Sequence, residues 1–179
     1  MMLLLGSCGS YKLISDKVSN PIILKCPDYL VPEEAASLSK FRKGTGFDLV
    51  DVKFEVKIKK VQLGCISNIE RNTKVGSMEI DVNLLFSASL GPANLGRKIK
   101  LSYFVSVVSP ENEILGKQDV PIVIEFPENK SNTIFSSEPV FITLQIRPDR
   151  SINFYRVFVG LKLNQDEVLY NREKIANQR

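Results

Sequence analysis

Residues 52–65 read Val-Lys-Phe-Glu-Val-Lys-Ile-Lys-Lys-Val-Gln-Leu-Gly-Cys. Val52, Phe54, Val56 and Ile58 alternate with Lys53, Glu55, Lys57 and Lys59, the two-residue period of a strand that buries one face and wets the other. Beyond Lys60 the apolar set resumes one residue out of phase, at Val61, Leu63 and Cys65. A β-bulge absorbs one extra residue in just this way and keeps the same face buried. The stretch therefore predicts one long strand with a bulge near its middle.

The same period recurs downstream. Met78, Ile80, Val82, Leu84, Phe86, Ala88 and Leu90 predict a second long strand ending at Gly91-Pro92, and Ile99, Leu101, Tyr103, Val105 and Val107 a third. Ser109-Pro110-Glu111-Asn112 reads as a hairpin turn toward Ile114-Leu115, because these residue types favour turn conformations. Val120, Ile122, Ile124 and Phe126 alternate next, with Pro121 marking an edge strand or a strand start, since proline has no N–H to donate to a ladder. Val140 to Ile146 and the run from Ile152 to Leu163 complete six or seven strands.

Serial strands with few helices predict an all-β fold, an immunoglobulin- or fibronectin-like antiparallel β-sandwich, with a closed barrel as the alternative. One or two short helices decorate it: Pro32-Glu33-Glu34-Ala35-Ala36 carries proline and acids in a first turn, and Asn164 precedes Glu167 by the spacing of a capping box. The expected division is a residual signal over 1–7, a tether over 8–20, one domain over 21–170 and a frayed tail over 171–179.

Composition removes several function classes. The chain of 179 residues has no histidine, which excludes Ser-His-Asp and Cys-His catalysis outright and removes the commonest metal ligand. Cys8, Cys26 and Cys65 show no C-x-x-C spacing, so no metal site is expected. Glycine-rich dinucleotide or phosphate loops are absent, and no cofactor is expected. The 24 Lys and Arg against 20 Asp and Glu are scattered along the chain, which argues against nucleic acid as a partner.

Leu5-Gly6-Ser7-Cys8 followed by Gly9-Ser10 resembles the lipobox of bacterial lipoproteins. The resemblance implies cleavage before Cys8, lipidation of Cys8, and a body held at a membrane facing the periplasm. The apolar run before Cys8 is shorter than the 7–15 residues of a secretory signal; we expect the true start codon to lie upstream and a chain beginning at Met1 to stay in the cytoplasm. The polar stretch Ser10 to Asn20 suits a tether, and multiple acylation gives stable attachment where one chain does not. In that oxidising compartment Cys26 and Cys65 pair as a disulfide once Cys8 is consumed by lipid, two buried free thiols being the alternative.

A wider resemblance covers roughly residues 26–172. Cys26-Pro27, Leu38, Phe41, Gly44, Asp48 to Val52, Cys65, Tyr103-Phe104-Val105, Val107-Val108, Ile124 to Pro127, Val159-Gly160-Leu161 and Tyr170-Asn171-Arg172 are similar to a small α-proteobacterial lipoprotein family of unassigned function. It implies export, the lipid anchor and a β-rich body, and no reaction.

Two function classes follow. The first, which we favour, is a non-enzymatic envelope lipoprotein whose sandwich is an interaction or structural module, with membrane lipid at its anchor and an envelope protein or glycan as partner; it predicts an exposed apolar or aromatic patch. The second is a glycan-active enzyme with two carboxylates across a pocket, at roughly 5–9.5 Å, for which Asp48, Asp51, Glu125 and Glu138 are the acids to place. Asp48 and Asp51 read more simply as acids bonding turn amides, and Glu125 as solvated or ion-paired. Lys53, Lys57, Lys59 and Lys60 form a basic wet face that suits anionic lipid or polysaccharide, or solubilises an edge. Tyr103, Phe104, Tyr155 and Phe158 either stack on a ligand or are buried, Phe104 and Phe158 beneath a helix on the second face. Tyr170-Asn171-Arg172 is the remaining segment that could dock on the body. No catalytic residue is assigned.

Overall fold

The computed structural model describes residues 24–44, 46–148 and 155–178; Cys8, the tether and the start of the run expected from Ile152 lie outside the described residues. Nine strands and one α-helix are present among them: β1 (Asp28–Leu30), β2 (Ser37–Phe41), β3 (Val52–Ile69), β4 (Gly76–Leu90), β5 (Lys98–Val108), β6 (Ile114–Glu125), β7 (Asn132–Ser136), β8 (Val140–Ile146), β9 (Arg156–Leu161) and α1 (Gln165–Ala176). They form a sandwich of two sheets, one ordered β1-β9-β5-β6 and the other β2-β3-β4-β7 with β8 also on β4.

The β3–β4 hairpin is the spine. Ile58 pairs with Phe86 and Lys60 with Leu85, which leaves Lys59 as the extra residue of the predicted bulge. The slip returns Val61 to the buried face, and the whole apolar side of β4 from Met78 to Ala88 is buried against Tyr103, Val105, Val107, Val157 and Val159 of the facing sheet. Pro121 lies on β6, an edge of its sheet, as its missing donor requires.

Three strands escape the alternation. β1 and β7 are only three and five residues long, and β2 turns two serines, of which Ser39 is buried, away from the core and only Leu38 into it. The pairing is also not wholly antiparallel, because β1 runs parallel to β9. The amino-terminal helix signal yields a 3₁₀ turn over Glu33–Ala35, whereas Asn164 and Glu167 form both bonds of the predicted capping box.

The frayed tail from Asn171 is corrected. The helix continues to Ala176, and Asn171 is buried, donating from Nδ2 to the carbonyls of Glu34 at 2.6 Å and Ser37 at 2.7 Å. Tyr170 and Arg172 dock as well, on Phe41 and Glu34, so the docking expected of Tyr170-Asn171-Arg172 is borne out. Since among the described residues β2 pairs only with β3, α1 covers what would otherwise be an open sheet edge.

Cys26 and Cys65 are joined, with Cα atoms 5.6 Å apart. The Leu24 amide also donates to Ser67 Oγ at 3.5 Å. Both contacts fix the entering chain to the far half of β3, roughly 40 Å along the strand from Val52 at about 3.3 Å per residue.

Candidate functional site

Loops from two strand junctions meet at the Val52 end of the sandwich. The Gly91 amide donates to the Lys53 carbonyl at 2.8 Å and the Ala93 amide to the Val52 carbonyl at 2.9 Å, which seats the β4–β5 loop beside the 3₁₀ turn Leu49–Asp51. These loops expose large apolar side chains: Phe47 at 56%, Leu49 at 82%, Val50 at 67% and Leu95 at 100%. Lone exposed apolar residues are ordinary on a protein surface; these four are carried on two adjoining loops. Ile66 and Phe141, by contrast, sit singly in cross-strand rows with Glu79 and Asp81.

The loop is held by an ion pair. Asp51 is buried, and Arg42 donates to its Oδ1 from both Nε and Nη2, while the Arg42 amide donates to the Asp51 carbonyl at 2.9 Å. Behind it, Phe41, Phe47 and Tyr170 form a three-ring cluster with centroids 5.0–5.2 Å apart. A hollow of about 370 Å³ opens over these rings, bordered by Lys40, Lys43 and Glu167. Lys40 is tied to Glu167 at 2.7 Å; Lys43 and Lys53 form no ion pair among the described residues.

A second concavity lies on the outer face of the β2-β3-β4-β7 sheet. Register places Glu55, Ser89 and Asn132 in one cross-strand row and Lys57, Ser87 and Ile134 in the next. The middle strand contributes serines and its neighbours longer side chains, so the face becomes a trough of about 480 Å³, closed at one end by Pro127 and Lys130. Glu55 is already engaged, accepting from Ser39 Oγ at 2.8 Å and facing Lys174 Nζ at 3.6 Å. Among the described residues it is the one carboxylate lining the trough.

The acids weighed as a catalytic pair are placed apart in role. Asp51 is buried under Arg42, while Asp48 and Glu138 are exposed and Glu125 pairs with Lys98 at 2.5 Å. Among the described residues no three potential metal ligands gather. Lys53, Lys57, Lys59 and Lys60 are exposed.

The aromatic candidates also divide. Tyr103 and Tyr155 belong to the core. No hydrogen bond reaches the Tyr103 hydroxyl among the described residues; burial pushes the phenol above its ordinary range, and the neighbouring Ser137 hydroxyl draws it partly back. Phe104 and Phe158 are half-buried on the outer face of their sheet. Among the described residues no α-helix covers Phe104; its ring lies beside Gly160 and beneath Lys117 Nζ, 5.5 Å from the centroid.

Sequence reasoning missed the apolar end because Phe47, Leu49, Val50 and Leu95 fall in irregular segments, where no period marks a side chain as buried or exposed. The trough was equally hidden, since it depends on which strands become neighbours. Compared with family models, curated proteins and solved structures, the chain matches none of them.

Proposed function

We propose that this chain is a membrane-anchored envelope lipoprotein whose β-sandwich works as a non-catalytic interaction module, docking through its Val52 end. The supporting observation is the polarity of the body: the chain enters beside Cys65 and Ser67, and the apolar loops lie at the other end of β3. A tether on Cys8 would thus present Phe47, Leu49, Val50 and Leu95 away from its point of attachment. The occupant is an envelope protein that inserts an apolar side chain over the Phe41–Phe47–Tyr170 rings and brings acids to Lys43 and Lys53. Aromatic residues that line a pocket are among those on which interface binding energy concentrates.

The anchor is tested by labelling cells with a fatty-acid probe while they express the chain from an extended start. Label on the wild-type protein that disappears in Cys8→Ala supports the reading; equal labelling of the two proteins, or none on either, contradicts it. The alternative of a glycan-active enzyme has less support, because a carboxylate pair is not found in the trough and Glu55 is occupied by Ser39 and Lys174.

A further inference from the structure

We propose that the trough on the outer face of β3, β4 and β7 binds an acidic saccharide. This site is separate from the docking end and stands independently of it.

The shape follows from the strand register. Ser87 and Ser89 on the central strand β4 form a low, half-buried floor, while Lys57 on β3 and Asn132 and Ile134 on β7 rise on either side. At about 480 Å³ the space falls within the usual range of small-ligand sites, roughly 300–1,000 Å³.

The chemistry follows from what remains uncommitted. The Glu55 carboxylate is held by Ser39 and Lys174, whereas Lys57 and Lys130, both exposed and both lining the trough, form no ion pair among the described residues. Two ammonium groups on the same trough favour a ligand that carries negative charge. Ser87, Ser89 and Asn132 offer neutral donors and acceptors, which suit a hydroxyl-rich partner. Ile134, 70% exposed, offers an apolar surface for the C–H face of a sugar ring. Among the described residues no aromatic ring lines the trough, so they offer a nucleotide nothing on which to stack its base. Charge, hydroxyl matching and a small apolar wall converge on a saccharide bearing anionic groups, for which a uronic acid oligomer is a suitable probe.

The test uses the full chain with its disulfide intact and tri-galacturonic acid as the probe, followed by calorimetry and by amide shift mapping. Saturable binding that weakens as salt rises, with shifts centred on Ser87, Ser89 and Asn132, is the expected result. The Lys57→Gln/Lys130→Gln double variant should lose roughly tenfold or more in affinity, as removal of charged hydrogen-bond donors does. Ser87→Leu should abolish binding by filling the floor; the double variant, altered only at exposed positions, decides the matter if Ser87→Leu does not fold. Leu49→Ser/Leu95→Ser should bind the trisaccharide normally, which separates this site from the docking end. Absence of saturable binding, unchanged affinity in the double variant, or inorganic phosphate binding as tightly as the trisaccharide would each overturn the assignment.

Discussion

The side-chain amide of Asn171, in the middle of α1, donates to the backbone carbonyl of Ser37 at 2.7 Å and so joins the carboxy-terminal helix to the free edge of β2. The same amide reaches the Glu34 carbonyl at 2.6 Å. Asn171→Ala should leave two carbonyls short of a partner and destabilise the protein by about 1–3 kcal/mol, measured as a lower urea midpoint. Asn177→Ala, at the C-terminal end of the same helix, should have a much smaller effect.

The Cys26–Cys65 bond spans a separation of 39 residues. By the loop-entropy estimate, Cys26→Ser/Cys65→Ser should cost about 4 kcal/mol, again read by urea denaturation. The entering segment beside Ser67 should also lose amide-exchange protection before the core strands do.

Gly160 is required for close approach and not for backbone conformation. A Cβ built there would lie 2.7 Å from the Ala35 Cβ and 2.8 Å from the Phe104 ring, whereas one on Gly116 would meet nothing within 4 Å. Gly160→Ala should destabilise by about 1–3 kcal/mol through overpacking, with Gly116→Ala close to neutral in the same thermal-melting comparison.

Asp119 is held below its ordinary value of 3.8, first by the hydrogen bond from Lys162 at 2.5 Å and then by the charge of Lys117. A depressed carboxylate contributes stability above its unfolded value and loses it as pH falls through the lower folded value. Because this group is exposed, the effect is best read at the residue itself. Lys162→Gln should raise the Asp119 titration midpoint toward 3.8 in a side-chain NMR titration.

The spine of the fold was legible because β3 and β4 each have one wet and one buried face, and even the Lys59 bulge shows as a change of phase. β2 was not, since Ser37 and Ser39 turn away from the core and Leu38 alone marks the core side. The sequence offers two readings at Asn171, a frayed tail and a Tyr170-Asn171-Arg172 segment docked on the body, and the second is the one the contacts bear out. The value of Asn171 lies in two backbone carbonyls more than 130 residues earlier in the chain, and no local pattern records such a contact. The disulfide was anticipated only through the compartment implied by Leu5-Gly6-Ser7-Cys8. The apolar end and the trough both depend on which loops and strands become neighbours, a tertiary property.

The docking end carries the central functional claim, and a photo-crosslinking residue replacing Leu49 in the exported, full-length protein tests it most directly. Irradiation of intact cells should yield one discrete protein adduct in the envelope fraction, reproduced by a probe at Leu95 and absent with a probe at Ile66. Failure of both the Leu49 and Leu95 probes to trap a protein, adducts to lipid alone, or the same adduct from Ile66 would contradict docking through the Val52 end.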